Sequence, residues 1–283
     1  MKALILDIDG VIIGDRQGIN FPDPVPEVAA ALKELSGSGV AVHMCTARPA
    51  FSISRMVREM SLDGLHIADN GAVITDPNTG EIPIKHVIPR AVATAIVRDL
   101  RETDAPVEIY ETSISYLDRR DTGIITDIHA GILDQSPEIV DDLTEVAKGK
   151  ELIKIIAFCD TIEKKETVGK ALLPYAEHVN LAWTHHPATG DVQYAVITAT
   201  GITKAAGAQY IAEKTGIPLA ETVGVGDGVN DWDFMRLCGT VVAMGNSQEM
   251  LLQSVKERGD TGFVAPSVDE NGMLWIIERF FPS

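Results

Sequence analysis

The chain has 283 residues, 45% of them apolar and 23% charged, with a formal net charge of −17 and an isoelectric point near 4.7. That balance describes a globular chain with enough apolar material for a large core and excludes a disordered one. The acidic surplus argues against a broad nucleic-acid surface, which is bound through clustered Lys and Arg.

The chain opens on Lys2 and the apolar run Ala3 to Leu6, too short for a signal h-region. The run reads as a strand buried on both faces, and it ends in Asp7, Ile8, Asp9 and Gly10. A helix over "PEVAAALKELSGSG", a strand over "VAVHMCT" and a helix over "PAFSISRMVREM" follow, so residues 1–78 alternate as βαβ units do around a parallel sheet. The turn-rich "DPNTG" at 76–80 is a candidate hinge.

From 79 to 195 the alternation is lost. Strand-like "PVEIYE", "TGIITDI", "ELIKIIAF" and "DVQYAVI" mix with helices near 90–103, 137–148 and 163–177, the texture of an inserted α+β domain. The βα pattern returns over 196–283: helix "TKAAGAQYIAEKTG", strand "ETVGVGD", helix "NDWDFMRLCG", strand "TVVAMG" and helix "QEMLLQSVKERG". The fold expected is a Rossmann-like three-layer α/β core, 1–78 with 196–283, carrying a 79–195 cap. No apolar run approaches the roughly 18 residues of a membrane span. Cys45, Cys159 and Cys238 lie far apart without a Cys-x-x-Cys pair, so neither a disulfide framework nor a zinc site is expected, and a reducing cytoplasm fits.

Two acids at the end of a core strand need a reason, because a desolvated carboxylate is costly unless it is paired, hydrogen-bonded or bound to a metal. The same design recurs in "TVGVGDGVND", where Asp227 and Asp231 follow an apolar strand, four residues apart. In an open α/β sheet, ligands bind at the carboxyl ends of the strands. Four carboxylates converging there would repel, and a hard divalent cation resolves this; Mg²⁺ suits a few carboxylates plus substrate phosphate oxygens. Thr46 ends another apolar strand with a hydroxyl and backbone N–H groups to offer a phosphate, and Lys204 supplies a point charge at a helix start.

"DIDGV" (7–11), "CTARP" (45–49), "TGITKAAGAQYIAEKTGI" (200–217), "GVGDGVND" (224–231) and "VVAMGNS" (241–247) resemble, in order and spacing, the motifs of the haloacid dehalogenase superfamily. The nearest likeness is to its Cof-type phosphatases with an α+β cap of type IIB, and "ADNGAVI" (68–74) resembles their signature before the cap. The resemblance implies a Mg²⁺-dependent phosphatase of small phosphate monoesters, such as sugar phosphates or phosphoglycolate-like compounds, working through an aspartyl-phosphate. It implies Asp7 as nucleophile and Asp9 as the acid that protonates the leaving alcohol and then activates water. Thr46 and Lys204 would hold the phosphoryl group, with Asn230 orienting its neighbours on the phosphate side. Asp7, Asp9 through its backbone carbonyl, Asp227 and Asp231 would hold the metal. Val11 stands where the family more often has Thr, and Ala47 where Cof-type members usually have Gly. The implied partner is a small phosphorylated metabolite in the cytoplasm, with no nucleic acid and no membrane.

Plainer readings apply elsewhere. Gly224, Gly226 and Gly228 lack the last glycine of a dinucleotide fingerprint, and Cys45 suits a small core residue. His185 and His186 are adjacent and make a poor metal pair. Arg119 and Arg120 suit either a substrate anion or a solvated turn, Arg48 suits support of the Thr46 loop or an ion pair, and Trp232 and Phe234 suit helix packing. Two rival functions use the same residues: a phosphotransferase or sugar phosphomutase, and a non-enzymatic phospho-switch, which needs neither Asp9 nor a cap.

Overall fold

The computed structural model describes residues 1–184 and 186–282, so His185 lies outside the described residues. The chain forms two compact units. One comprises Met1–Arg48, Ile53–Pro83 and the chain from Thr203 onward; the other comprises Pro49–Ser52 and Ile84–Ile202.

The first unit starts with β1 (Ala3–Leu6), buried at every residue. Helix α1 (Pro26–Gly37) carries proline in its first turn, where the missing N–H costs nothing, and buries Val28, Leu32 and Leu35 at helical spacing. Strand β2 (Ala41–Met44), helix α2 (Ala50–Glu59), and strands β3 (His66–Ala68), β4 (Val73–Asp76) and β5 (Glu81–Lys85) follow. The stretch 76–80 forms the turn from β4 towards β5, held by Asp76, whose Oδ1 accepts from the Asn78 N–H at 2.9 Å and the Thr79 N–H at 3.3 Å.

The second unit contains α3 (Arg90–Leu100), β6 (Val107–Tyr110), β7 (Ser115–Asp118), α4 (Ile124–Leu133), β8 (Glu138–Val140), α5 (Leu143–Gly149), β9 (Lys154–Cys159), α6 (Ile162–Leu172), β10 (Val179–Thr184) and β11 (Gln193–Ala199). Its six strands run in the order β10-β11-β9-β6-β7-β8. Pairing is antiparallel except between β7 and β8. An apolar core of Ile96, Val97, Ile109, Leu143, Ile155 and Ile197 joins helices to one face of that sheet. On the alternate residues, Glu108, Tyr110 and Lys154 are buried too, and the Tyr110 hydroxyl donates to Glu108.

Two expectations fail in this unit. "TGIITDI" is the start of helix α4, not a strand: the Gly123 N–H donates to Thr126 Oγ1 at 3.0 Å, and Thr126, His129, Ile132 and Leu133 are buried at helical spacing. The helix expected near 137–148 divides into β8 and α5. Asp142 caps α5, its Oδ1 accepting from the Thr144 N–H at 2.9 Å, while Ile139 pairs with Leu117 of β7.

The first unit resumes with α7 (Lys204–Thr215), β12 (Thr222–Gly226), α8 (Trp232–Met235), β13 (Thr240–Ala243), α9 (Glu249–Lys256), β14 (Gly262–Val264) and α10 (Gly272–Phe280). The five-stranded sheet has the order β14-β13-β12-β1-β2 and is parallel throughout. Ala3 pairs with Ala41 on one side and with Thr222 on the other. The helix expected over 230–239 is a 3-10 turn, Val229–Asp231, followed by the short α8, because the Asp231 side chain ties up the N–H groups before it.

Candidate active site

β1 and β12 lie side by side, yet the chain leaves β1 towards β2 and leaves β12 towards β13 on the opposite side. That reversal is a topological switch point, and it opens a crevice at the carboxyl ends of the two strands. Asp7 follows β1 directly, its N–H donating to Val225 of β12 at 3.0 Å. Asp227 follows β12. Asp231 closes the turn that follows Asp227, its Oδ2 accepting from the N–H groups of Asp227 at 3.0 Å and Gly228 at 2.9 Å. Gly10, at φ +74°, makes room: a Cβ there would stand 2.0 Å from Asp227 Oδ2.

Thr203 caps α7 by accepting from the Ala206 N–H at 3.1 Å, which brings Lys204 to the first turn. The Lys204 ammonium donates to Asp7 Oδ2 at 2.8 Å and to Asp231 Oδ1 at 2.7 Å, with only 5% of the residue exposed. Burial works against that ammonium, but the Asp231 and Asp7 carboxylates outweigh it and raise its pKa.

One oxygen from each of Asp7, Asp227 and Asp231 lies within 4.8 Å of the others. Burial raises the Asp7 carboxyl well above the usual range, with the charges of Asp231 and Asp227 adding to it and Lys204 opposing. Burial, followed by the Asp231 charge, pushes Asp227 up to about 7. Charge held at such cost, in oxygen-only donors, is the chemistry a hard divalent cation fits.

Thr46 is buried at the end of β2, its Oγ1 accepting from the Arg48 N–H at 3.2 Å. Asp9 is not one of the three grouped carboxylates, although its charge adds to the rise at Asp227. Its side chain takes two hydrogen bonds from Arg48, Nε at 2.9 Å and Nη2 at 2.6 Å. The structure therefore brings Asp7, Lys204, Asp227 and Asp231 into contact and engages Asp9 with Arg48. Asn230 is exposed in the adjoining turn, and its side chain has no hydrogen-bond partner among the described residues.

Two residues of the "VVAMGNS" stretch escaped sequence reasoning. Asn246 Nδ2 donates to the Gly10 carbonyl at 2.9 Å, and the Ser247 hydroxyl donates to the Gly226 carbonyl at 3.4 Å, so the loop after β13 braces both acidic loops. The signal for them was their position after a parallel strand beside β12. Other candidates have ordinary surroundings. Burial holds the Cys45 thiol well above its ordinary pKa, far from a thiolate. Arg119 and Arg120 are paired in a surface turn, with Asp141 and Asp121 respectively. His186 lies in a loop, its Nδ1 accepting from the Ala188 N–H. Phe234 is buried in α8. No helix among the described residues is long and apolar enough to cross a membrane.

A parallel sheet with acids at the tips of β1 and β12, a threonine after β2 and a lysine at the start of α7 defines a haloacid dehalogenase-like hydrolase; residues 4–277 match that family, and the chain belongs to it. Over 278 residues it is 26% identical to YkrA of Bacillus subtilis, covering 98% of this chain and 97% of the other. It is 24% identical to the 5-amino-6-(5-phospho-D-ribitylamino)uracil phosphatase YcsE of Bacillus subtilis, covering 99% and 96%. Among solved structures, the subclass IIB sugar phosphatase BT4131 matches with a TM-score of 0.76 at 26% identity, covering 99% of each chain. A haloacid dehalogenase-like hydrolase from Bacteroides thetaiotaomicron shares the fold with a TM-score of 0.84 at 20% identity, again over 99% of each chain.

Proposed function

We propose that the chain is a phosphatase that hydrolyses a small phosphate monoester through an aspartyl-phosphate on Asp7. The observation that carries this reading is Lys204, bonded at once to Asp7 and Asp231 at the tip of the switch point. An ammonium there neutralises a nucleophilic carboxylate and stands ready for the charge of a transferring phosphoryl group, where positioning and electrostatics supply most of the catalysis.

In the first half-reaction an Asp7 carboxylate oxygen attacks phosphorus, and the bond from phosphorus to the leaving oxygen breaks. Asp9, as carboxylic acid, gives its proton to that oxygen and the alcohol departs. In the second, the Asp9 carboxylate takes a proton from water, whose oxygen attacks the same phosphorus and returns Asp7 as carboxylate with inorganic phosphate. The Thr46 hydroxyl and the Lys204 ammonium hold the phosphoryl oxygens throughout. Asp7 and Asp227, with the Asp9 carbonyl, would hold Mg²⁺, and Asp231 would act through Lys204 and the turn it caps. Bound there, the ion supplies charge neutralisation to the phosphoryl group and the carboxylates.

The unit spanning 84–202 serves in this reading as the cap that selects the leaving group. A phosphorylated sugar or polyol is the substrate class, supported by the sugar phosphatase and the 5-amino-6-(5-phospho-D-ribitylamino)uracil phosphatase among the similar proteins. The test is phosphate release from an aryl phosphate, followed by a panel of sugar phosphates, for the wild-type protein and for Asp7→Asn, each with Mg²⁺ and with chelator. Release that requires both Asp7 and Mg²⁺ supports the reading; turnover surviving in Asp7→Asn sinks it.

A further inference from the structure

The stretch "ADNGAVI" has no part in the chemistry above, yet it holds an uncommon run of backbone. Three successive residues are left-handed: Asp69 at φ +51°, Asn70 at φ +57° and Gly71 at φ +99°. Side chains disfavour that region, and such outliers persist only where the surroundings enforce them.

The surroundings here are two loops of the candidate site. On one side, the Thr46 N–H donates to Ile67 at 2.9 Å, the Asn70 N–H to the Thr46 carbonyl at 3.0 Å, and the Asp69 N–H to the Arg48 carbonyl at 2.9 Å. The backbone of the Thr46–Arg48 loop is thus fastened to this segment at both ends. On the other side, Gly71 lies against the start of α7. A Cβ at Gly71 would stand 2.4 Å from the Thr203 carbonyl oxygen and 3.5 Å from the Lys204 nitrogen. One turn of α7 later the approach is again tight, since a Cβ at Gly207 would meet the Ile67 side chain at 2.9 Å.

We propose that the left-handed turn Asp69–Gly71 is a positioning element for phosphoryl binding: it registers the Thr46–Arg48 loop against the start of α7 and so sets where the Thr46 hydroxyl and the Lys204 ammonium stand. This rests on the phosphatase reading for its purpose, and on the backbone geometry alone for its mechanism. Gly71 permits the close approach, and Asn70 is the non-glycine residue best able to hold the left-handed conformation beside it.

The experiment compares Gly71→Ala, Asn70→Val and Asn70→Gly with Leu32→Ala, a core variant in α1 that lowers stability away from the site. Each is assayed where circular dichroism finds it folded, with calorimetric binding of inorganic phosphate in Mg²⁺ and turnover of an aryl phosphate. Gly71→Ala and Asn70→Val are expected to raise the phosphate Kd about tenfold or more, and to lower kcat/KM on the order of 100-fold, the scale of an ångström's misplacement. Asn70→Gly, free to remain left-handed, keeps wild-type values, and Leu32→Ala loses Tm but not phosphate affinity. Wild-type phosphate affinity in Gly71→Ala and Asn70→Val overturns the proposal; if Gly71→Ala does not fold, the Asn70 pair decides.

A second readout needs no activity. Lys204, buried between two carboxylates, should resist acylation by an amine reagent, followed by peptide mass spectrometry. Its labelling rate rises in Gly71→Ala and Asn70→Val but not in Leu32→Ala, and an unchanged rate overturns the proposal. A wild-type protein that neither binds nor releases phosphate removes the phosphatase reading, while the labelling result still judges the turn.

Discussion

Arg48 and Asp9 are joined by a two-pronged ion pair in which the arginine is the fixed partner. The Arg48 side chain is 6% exposed against 36% for Asp9, and its Nη2 lies 2.6 Å from Asp9 Oδ1. Burial opposes the guanidinium, but the Asp9 carboxylate raises its pKa still further above the ordinary value. A buried fork that grips both Asp9 oxygens fixes its rotamer in the carboxylate form that activates water, and one oxygen leaves the fork when Asp9 carries the proton for the leaving alcohol. Arg48→Lys keeps the charge but cannot fork. Its kcat is expected to fall about 10- to 100-fold, up to the lower end of the roughly 10²- to 10⁴-fold that a general acid contributes. Steady-state kinetics on an aryl phosphate checks this, and an unchanged kcat would remove Arg48 from the mechanism.

Lys204→Met leaves Asp7 and Asp231 without the ammonium they share. Loss of one preorganised charge donor of this kind costs on the order of 10²- to 10³-fold in kcat. Lys204→Arg should not rescue it, because a planar guanidinium is a poor replacement for a point donor 2.8 Å and 2.7 Å from two carboxylates. Turnover within about twofold of wild type in either variant would count against the assignment.

Asp227 couples the site to pH. In the fold its carboxyl holds a proton up to about 7, against an ordinary value of 3.8. Between those values the folded chain keeps a proton that the unfolded chain releases, so this group's contribution to stability is lost as pH rises from about 4 to 7 and is constant above. In chelator, Asp227→Asn should therefore melt above wild type at pH 8 by several degrees, with the gap closing towards pH 4. The same variant should bind Mg²⁺ more weakly by calorimetry and hydrolyse phosphate esters poorly. A gap that does not change with pH would contradict the raised carboxyl.

An opposite limb comes from the buried histidines of β2 and β3. Burial, with His43 nearby, takes His66 down to about 3, and burial lowers His43 as well. A depressed imidazole pKa means that the unfolded chain binds the proton first. Stability present above about 6.5 is lost as pH falls towards 3. His66→Asn, whose Oδ1 can take the place of Nδ1 as acceptor for the Met44 N–H, should flatten the fall in Tm over that interval. A slope equal to wild type would shift the effect to other groups.

The carboxylates were legible because an acid ending an apolar run breaks the rule for buried strands, and Asp7, Asp227 and Asp231 do so at strand tips. Thr46 and Lys204 were legible for the same positional reason. What failed was local competition. Ile124 and Ile125 suggest a strand, yet Gly123 and Thr126 start a helix there; Ile139 and Val140 suggest a helix, yet pairing with β7 takes them. Contacts between distant segments stayed hidden, such as Asn20 donating to Asp269 across 249 residues, or Asn246 reaching Gly10. The strain at Asn70 was equally invisible, since asparagine before glycine is ordinary turn chemistry until its φ is known.

The pairing of β1 with β12 also orders events at the ribosome. Ala3 finds its partner Thr222 only after the whole 84–202 segment has been made. Strand contacts so distant in sequence are slow to form and must wait for the later chain. The contiguous inserted segment holds all its own strand partners, so during synthesis it is free to collapse while β1 waits with its apolar edge unpaired on one side. A strand made late thus completes the first, and a stall between residues 203 and 222 leaves β1 without β12 while the insert already holds its own strand partners, so the edge open to aggregation is that of β1.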